Sequence, residues 1–197
     1  KWKMGKKISI DSATLMNKIF EVIEASKLFT IDLRKIEILI HPQSLVHAIV
    51  KLKNGLNIFL YFETDMSIPI GNELFENQFE IKKLKNIKNK FKNSDYANNL
   101  NFFQVNKKKF PAIKLKPILN KYHSLPIILN AANEILVDQF LKEKISFNTF
   151  YKYLLQVLND RNYKKYAIKE PKSINQILQI DKWSRNTVYK KIKYKNA

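Results

Sequence analysis

The stretch ISIDSATLMNKIFEVIEA, residues 8–25, decides how the rest of the chain reads. At about 100° per residue it predicts one amphipathic helix. Leu15, Met16, Ile19, Phe20, Val22 and Ile23 fall on one side, and Thr14, Asn17, Lys18 and Glu21 share an arc of about 100° on the other. Ordinary surface helices carry such faces, so spacing alone leaves a merely solvated face as one reading. The other reading gives the face a ligand. Ser12, or Asp11, stands at the expected helix start, where backbone N–H groups and the helix dipole favour an anion. Asn17 and Lys18, one turn later, would add donors and positive charge to that anion. Glu21 is a further turn along, a hard oxygen ligand suited to Mg²⁺ or Mn²⁺. One carboxylate makes no metal site, and its partners would have to come from elsewhere.

Around that stretch lie 197 residues, 45% apolar and 12% aromatic, enough to bury the core of one domain or of two small ones. There is no cysteine, which excludes disulfides and thiolate metal sites. His41, His47 and His123 are too few and too scattered for a zinc cluster. No apolar run reaches membrane-spanning length, and no membrane partner is expected. The net charge of +19 comes from 33 Lys against 3 Arg, beside 21 Asn. A basic nucleic-acid-binding module is the alternative function, because clustered cations bind phosphates by releasing counterions. Readers of bases and backbone phosphates favour arginine's planar fork, however. Enrichment of Lys together with Asn points instead to a compositional bias of the source, and nucleic acid is not the expected partner. The opening residues, KWKMGKK, carry neither an initiator Met nor the apolar core of a signal peptide, and read as lying within a longer chain.

The expected fold class is α+β: a partial α/β catalytic domain followed by a C-terminal helical bundle. Residues 1–75 form the first part, 76–100 a Lys/Asn-rich linker, and 101–197 the bundle. Residues 1–7 read as a basic loop, 7–10 as a short strand and IEILIHPQS (36–44) as a buried strand ending at a proline turn. LVHAIVKLKNGLNIFLYF (45–62) reads as a β-hairpin turning at Asn54 and Gly55, and residues 63–75 as a loop and short helix. SLPIILNAANEILVDQFLKEK (124–144) is apolar over most of its surface, with Ser124 as N-cap and Pro126 in the first turn, so it should lie at the centre of the bundle. Ser146 caps the next helix, Ser173 and Gln176 form a capping box, and Asp181 is expected to start a last basic helix. His41 reads as a structural histidine or an acid–base group, and His47 as structural. Asn130, Asn133 and Glu134 need partners inside an apolar helix, supplied by loop backbone or a bundle interface rather than an active site. The final KKIKYKNA reads as a solvated tail.

Four blocks carry a resemblance: WKMGKKISIDSATLMNK with EVIEA (2–25), IHPQSLVHAIV (40–50), the Asp-Met and Pro-Ile pairs of residues 65–70, and LNAANEI (129–135). In this order they resemble 1-deoxy-D-xylulose-5-phosphate reductoisomerase, the NADPH-dependent enzyme of the methylerythritol phosphate route to isoprenoids. The resemblance covers the catalytic and C-terminal parts of that family, most weakly over 76–100, and leaves out its N-terminal dinucleotide-binding domain. The glycines agree: Gly5, Gly55 and Gly71 are the only three, too far apart for a glycine-rich phosphate fingerprint. Ile19 departs from the family's usual Gly, and Ser67 with Ile68 from its common Arg-Thr pair. The His-Pro pair that opens the family's lid loop is not in this sequence.

The resemblance implies roles. Ser12, Asn17 and Lys18 match residues that hold the substrate phosphate, and Lys18 and Glu21 count as the catalytic pair. Glu21 matches one of three carboxylates on a divalent metal, Mg²⁺ or Mn²⁺, and lies against the substrate; the other two, in an Asp-x-Glu motif, belong to the part not represented here. Trp2 and Met4 match the loop that closes over the substrate. Gly5 matches a backbone contact to NADPH, with Met4 and Met66 also on the cofactor side. The implied partners are a phosphorylated sugar-like substrate and a second copy in a homodimer, in bacterial cytoplasm or a plastid. By itself the 197-residue chain is expected to be inactive. Following NADPH oxidation with 1-deoxy-D-xylulose 5-phosphate and Mn²⁺ checks this; turnover above background would overturn it.

Overall fold

The computed structural model describes residues 5–75, 80, 99–168 and 170–193. The expected linker of 76–100 lies outside the described residues apart from 80, 99 and 100, as do Trp2 and Met4. Packing separates the chain into two compact units, one within residues 39–104 and one from residues up to 38 together with those from 105 onward. Composition suggested division at 75 and 100. Contacts instead place the helices of the opening motif with the C-terminal helices.

In the first unit, β1 (Leu39–Ile40) pairs antiparallel with β4 (Phe103–Gln104). Only two residues of the expected strand 36–44 make this ladder, and they are half-buried rather than buried. β2 (Val46–Lys51) and β3 (Asn57–Tyr61) form the expected hairpin. Gly55, at φ +88°, takes the left-handed position that closes the turn, with its N–H donating to the Leu52 carbonyl. The Asn54 side-chain oxygen accepts from the Leu56 N–H at 3.1 Å and reinforces it. A bulge between Val46 and Ala48 interrupts the register, and the His47 ring there stacks on Phe62 at 3.7 Å between centroids. α3 (Ser67–Phe75) starts where the Asp65 carboxylate accepts from the Ser67 N–H, and buries Ile68 and Gly71.

In the second unit, α4 (Leu125–Leu141) is the central helix that its apolar surface predicted, with ten residues buried around its circumference. It packs against α1 (Lys6–Thr14), α2 (Met16–Leu28), α5 (Phe150–Leu158) and α7 (Ile174–Lys193). Ala131 and Ala132 keep its profile narrow, and the buried Ser184 hydroxyl of α7 donates to the Ile128 carbonyl at 2.8 Å. Arg185 of α7 bonds Glu134 of α4 at 2.5 Å and Asp181 at 2.6 Å, and these carboxylates hold its guanidinium pKa further up. Both ends of this triad are partly wet, so it fixes α7 on α4 more than it stabilises the fold. α6 (Tyr163–Ala167) completes the set, its Tyr163 ring edge-on to Tyr122.

Three expectations need correction here. Residues 7–10 are the first turn of α1, not a strand, because the chain continues into a helix that buries Ile10 and Asp11. Asp181 starts no helix: α7 runs unbroken through it, and its carboxylate serves Arg185 instead. The basic end is no tail up to Lys193, since Ile192 is 5% exposed inside α7. Leu136, fully buried on α4, is the test of the core. Leu136→Ala should lower the unfolding free energy by about 2–5 kcal/mol in urea denaturation, while exposed Lys152→Ala should stay within about 0.5 kcal/mol.

Candidate functional site

The opening stretch is a helix corner, not one helix. α1 ends at Thr14, Leu15 adopts φ +67° and ψ 7°, and α2 begins at Met16. A left-handed leucine costs about 1–2 kcal/mol and persists only where packing over-determines it. Leu15 is 4% exposed, so its side chain supplies that packing. The backbone is tied on both sides, with the Leu15 N–H donating to the Ser12 carbonyl and the Ile19 N–H to that of Leu15. The Thr14 hydroxyl donates back to the Ile10 carbonyl at 3.0 Å.

The corner moves the anion-favouring helix end. Ser12 is exposed in the last turn of α1, and Asp11, 3% exposed, points inward instead of capping a helix. The relevant N-terminus is that of α2, where Leu15 makes no side-chain cap, the Thr14 hydroxyl accepts from the Met16 N–H at 3.4 Å, and the first turn holds no acidic residue. Asn17 and Lys18 occupy that first turn, so donors, charge and dipole coincide there. The Asn17 amide donates to Glu21 Oε1, and Lys18 Nζ bonds Glu21 Oε2 at 2.7 Å. Three of the singled-out residues therefore form one half-exposed cluster. A bound anion would have to take both donors over from Glu21. Met16, Ile19 and Val22 bury the opposite side of α2, and Ile19, where the family pattern has Gly, is fully buried.

The other singled-out residues belong to other segments. Gly5 precedes α1 with φ −60° and ψ 158°, a conformation open to any residue, and the space a Cβ would occupy is empty. Its lack of a side chain thus serves no contact within the described chain. Met66 belongs to the other unit and is 54% exposed just before α3. His41 stacks on Phe102 with its Nδ1 2.8 Å from the Asn101 carbonyl, and its Nε2 is buried with no partner among the described residues. A pocket of about 190 Å³ is lined by residues that include Thr14, Met16, Lys108, Phe150, Tyr151 and Leu154, of which the sequence placed only Thr14 on the candidate ligand face. Sequence reasoning also missed the partner of Asp11: Asn133 of α4 donates to it at 2.7 Å in the core. The available signal was Asn133 itself, a polar residue on an apolar helix that had to find a partner.

Comparison with known proteins identifies the fold. The sequence profile described as the DXP reductoisomerase C-terminal domain matches residues 63–187, and that of the 1-deoxy-D-xylulose 5-phosphate reductoisomerase C-terminal domain matches residues 1–29. The chain is 42% identical to the 1-deoxy-D-xylulose 5-phosphate reductoisomerase of Pelagibacter ubique, over 91% of this chain and 45% of that protein. It is 41% identical to that of the Wolbachia of Brugia malayi, over 98% of this chain and 48% of the relative. A solved DOX-P reductoisomerase in complex with NADPH, fosmidomycin and magnesium superposes with a TM-score of 0.83 at 31% identity, over 98% of this chain and 47% of that one. The Zymomonas mobilis enzyme in complex with NADPH gives 0.77 at 33%, over 94% and 47%. The α+β architecture is that of the later half of a reductoisomerase. The chain belongs to the 1-deoxy-D-xylulose 5-phosphate reductoisomerase family and spans about half the length of the curated relatives it matches.

The corner has a stability signature. In an ordinary helix Ala outranks Gly by about 1 kcal/mol. At left-handed Leu15 the order should reverse, with Leu15→Gly more stable than Leu15→Ala by about 1 kcal/mol in urea denaturation. The ordinary order would mean a continuous helix.

Proposed function

We propose that this chain supplies the phosphate-gripping helix corner, one metal ligand and the C-terminal helical domain of an enzyme that converts 1-deoxy-D-xylulose 5-phosphate to 2-C-methyl-D-erythritol 4-phosphate in isoprenoid biosynthesis. The observation that carries this reading is the start of α2, with Asn17 and Lys18 in its first turn and Glu21 bonded to both. Family membership supports it, as do related structures determined with NADPH and magnesium.

In this reading the Lys18 ammonium, the Asn17 amide and the Ser12 hydroxyl hold the phosphate. The phosphate is remote from the bonds that change, so its binding energy orients the reacting end of the substrate. When bound, NADPH supplies the hydride and a divalent metal, Mg²⁺ or Mn²⁺, polarises the substrate's oxygens. Glu21 fits one position on such a metal. Among the described residues no group of three or more His, Asp or Glu stands together, so the remaining ligands come from outside them. Gly5 fits a close backbone approach by the cofactor, because nothing in the described chain fills its missing side-chain space. Met66 and Met4 stand on the cofactor side and Trp2 covers the substrate, on the strength of the family resemblance alone.

Homodimerisation belongs to the same proposal. Ile58, Phe59, Leu60 and Tyr61, consecutive along β3, are each at least 42% exposed, an apolar surface suited to pairing with a second copy. Among the described residues no helix is long and apolar enough to cross a membrane. With bacterial relatives, a cytoplasmic setting is the proposed one.

The test uses the complete enzyme of which this chain is part. Lys18→Ala and Glu21→Gln should each lower kcat/KM by at least about 10²-fold with an unchanged circular dichroism spectrum. Wild-type turnover in both would refute the site.

A further inference from the structure

We infer that Asp11 and Asn133 are positioning residues for the anion grip, their buried hydrogen bond fixing where α1 carries Ser12 relative to Asn17 and Lys18 on α2. This rests on the reading of Ser12, Asn17 and Lys18 as phosphate ligands. The corner at Leu15 puts those ligands on two different helices, so the grip has the right shape only if both helices are held independently. α2 is held by three buried apolar side chains, Met16, Ile19 and Val22. α1 buries only Ile10 and Asp11 along its nine residues. Its seat therefore depends on Asp11, the immediate neighbour of Ser12.

Both carboxylate oxygens of Asp11 are engaged. Oδ1 accepts from Asn133 Nδ2 at 2.7 Å, and Oδ2 pairs with Lys7 Nζ at 2.8 Å. Lys7 lies on α1 itself and is half exposed, so it neutralises Asp11 without fixing α1 to anything. Asn133 does the fixing, from the middle of the central helix and fully buried. Its own Oδ1 is buried and finds no partner among the described residues. A stability-driven choice would be a well-packed apolar pair, since replacing both partners of a buried polar contact by apolar groups is often neutral or stabilising. A directional bond kept at that cost serves geometry: apolar surfaces can slide, and a 2.7 Å bond cannot.

The experiment separates geometry from stability. Inorganic phosphate is titrated into the chain, with amide chemical shifts giving the dissociation constant and thermal unfolding followed in parallel. Three variants are compared with wild type: Asp11→Asn, the double replacement Asp11→Leu with Asn133→Leu, and Lys18→Ala. Asp11→Asn keeps an acceptor for the Asn133 amide and should bind phosphate within about threefold of wild type. The leucine pair should unfold at the same or a higher temperature yet bind phosphate about tenfold more weakly, the scale of one lost buried hydrogen bond. A purely structural role would move the unfolding temperature and leave that affinity alone. Wild-type affinity in the leucine pair, or a tenfold loss in Asp11→Asn, overturns the positioning role. Wild-type affinity in Lys18→Ala removes the grip itself and the inference with it, whereas loss at Lys18 without loss in the leucine pair overturns the positioning role alone.

Discussion

A carboxylate taken out of water must be paired, and in this chain the pairing sets the architecture. Asp11 lies in the short first helix, Asn133 lies 122 residues later in the centre of the bundle, and their bond is the polar tie between the motif and the core. Once it forms, α1 has one seat on α4, the chain must turn sharply to lay α2 on the same helix, and Leu15 accepts a left-handed backbone to allow it. The packing of Leu15, Met16 and Ile19 beneath the corner is what meets the strain. The polar face of α2 is then displayed at a helix start, with the dipole behind it.

Much of this was legible. The family was carried by ISIDSATLMNK, the hairpin by alternation around Asn54 and Gly55, and the central helix by the apolar surface of residues 125–141. These are local signals, each written within one continuous stretch of chain. The corner was not legible, because nothing in the residues Thr14, Leu15 and Met16 marks a left-handed position. A glycine there would have, and the strain is borne instead by tertiary packing that periodicity does not record. The burial of Asp11 was hidden for the same reason, its partner being remote in sequence. Of the candidate site, the grouping of Asn17, Lys18 and Glu21 followed from spacing, since three- and four-residue separations meet on any α-helix. The place of Ser12 did not, because periodicity reads straight through the corner as one helix. Asp181 looked like a cap only because its use as an ion-pair partner four residues from Arg185 reads the same in sequence.

The two units differ in how they satisfy themselves. The helical one encloses its apolar residues around α4, with Leu125, Ile128, Leu129 and Leu136 at most 1% exposed. Among the described residues, the hairpin leaves every residue of β3 exposed and buries Val46 of β2. An isolated hairpin is marginal in water, and such a strand gains stability mainly from what later covers it. The bulge at His47 interrupts the strand pair, and the imidazole there stacks against Phe62.

The discontinuity of the helical unit carries a kinetic consequence. Its first helices are made before residues 39–104, and their seat on α4 comes only after that intervening segment. Closing so long a loop costs chain entropy before any contact repays it, so docking of α1 and α2 belongs late in folding rather than early. The compact start available to the chain is the local collapse of α4, α5 and α7. The corner at Leu15 therefore rests on contacts between segments far apart in the chain, unlike the packing of α4, α5 and α7 on one another.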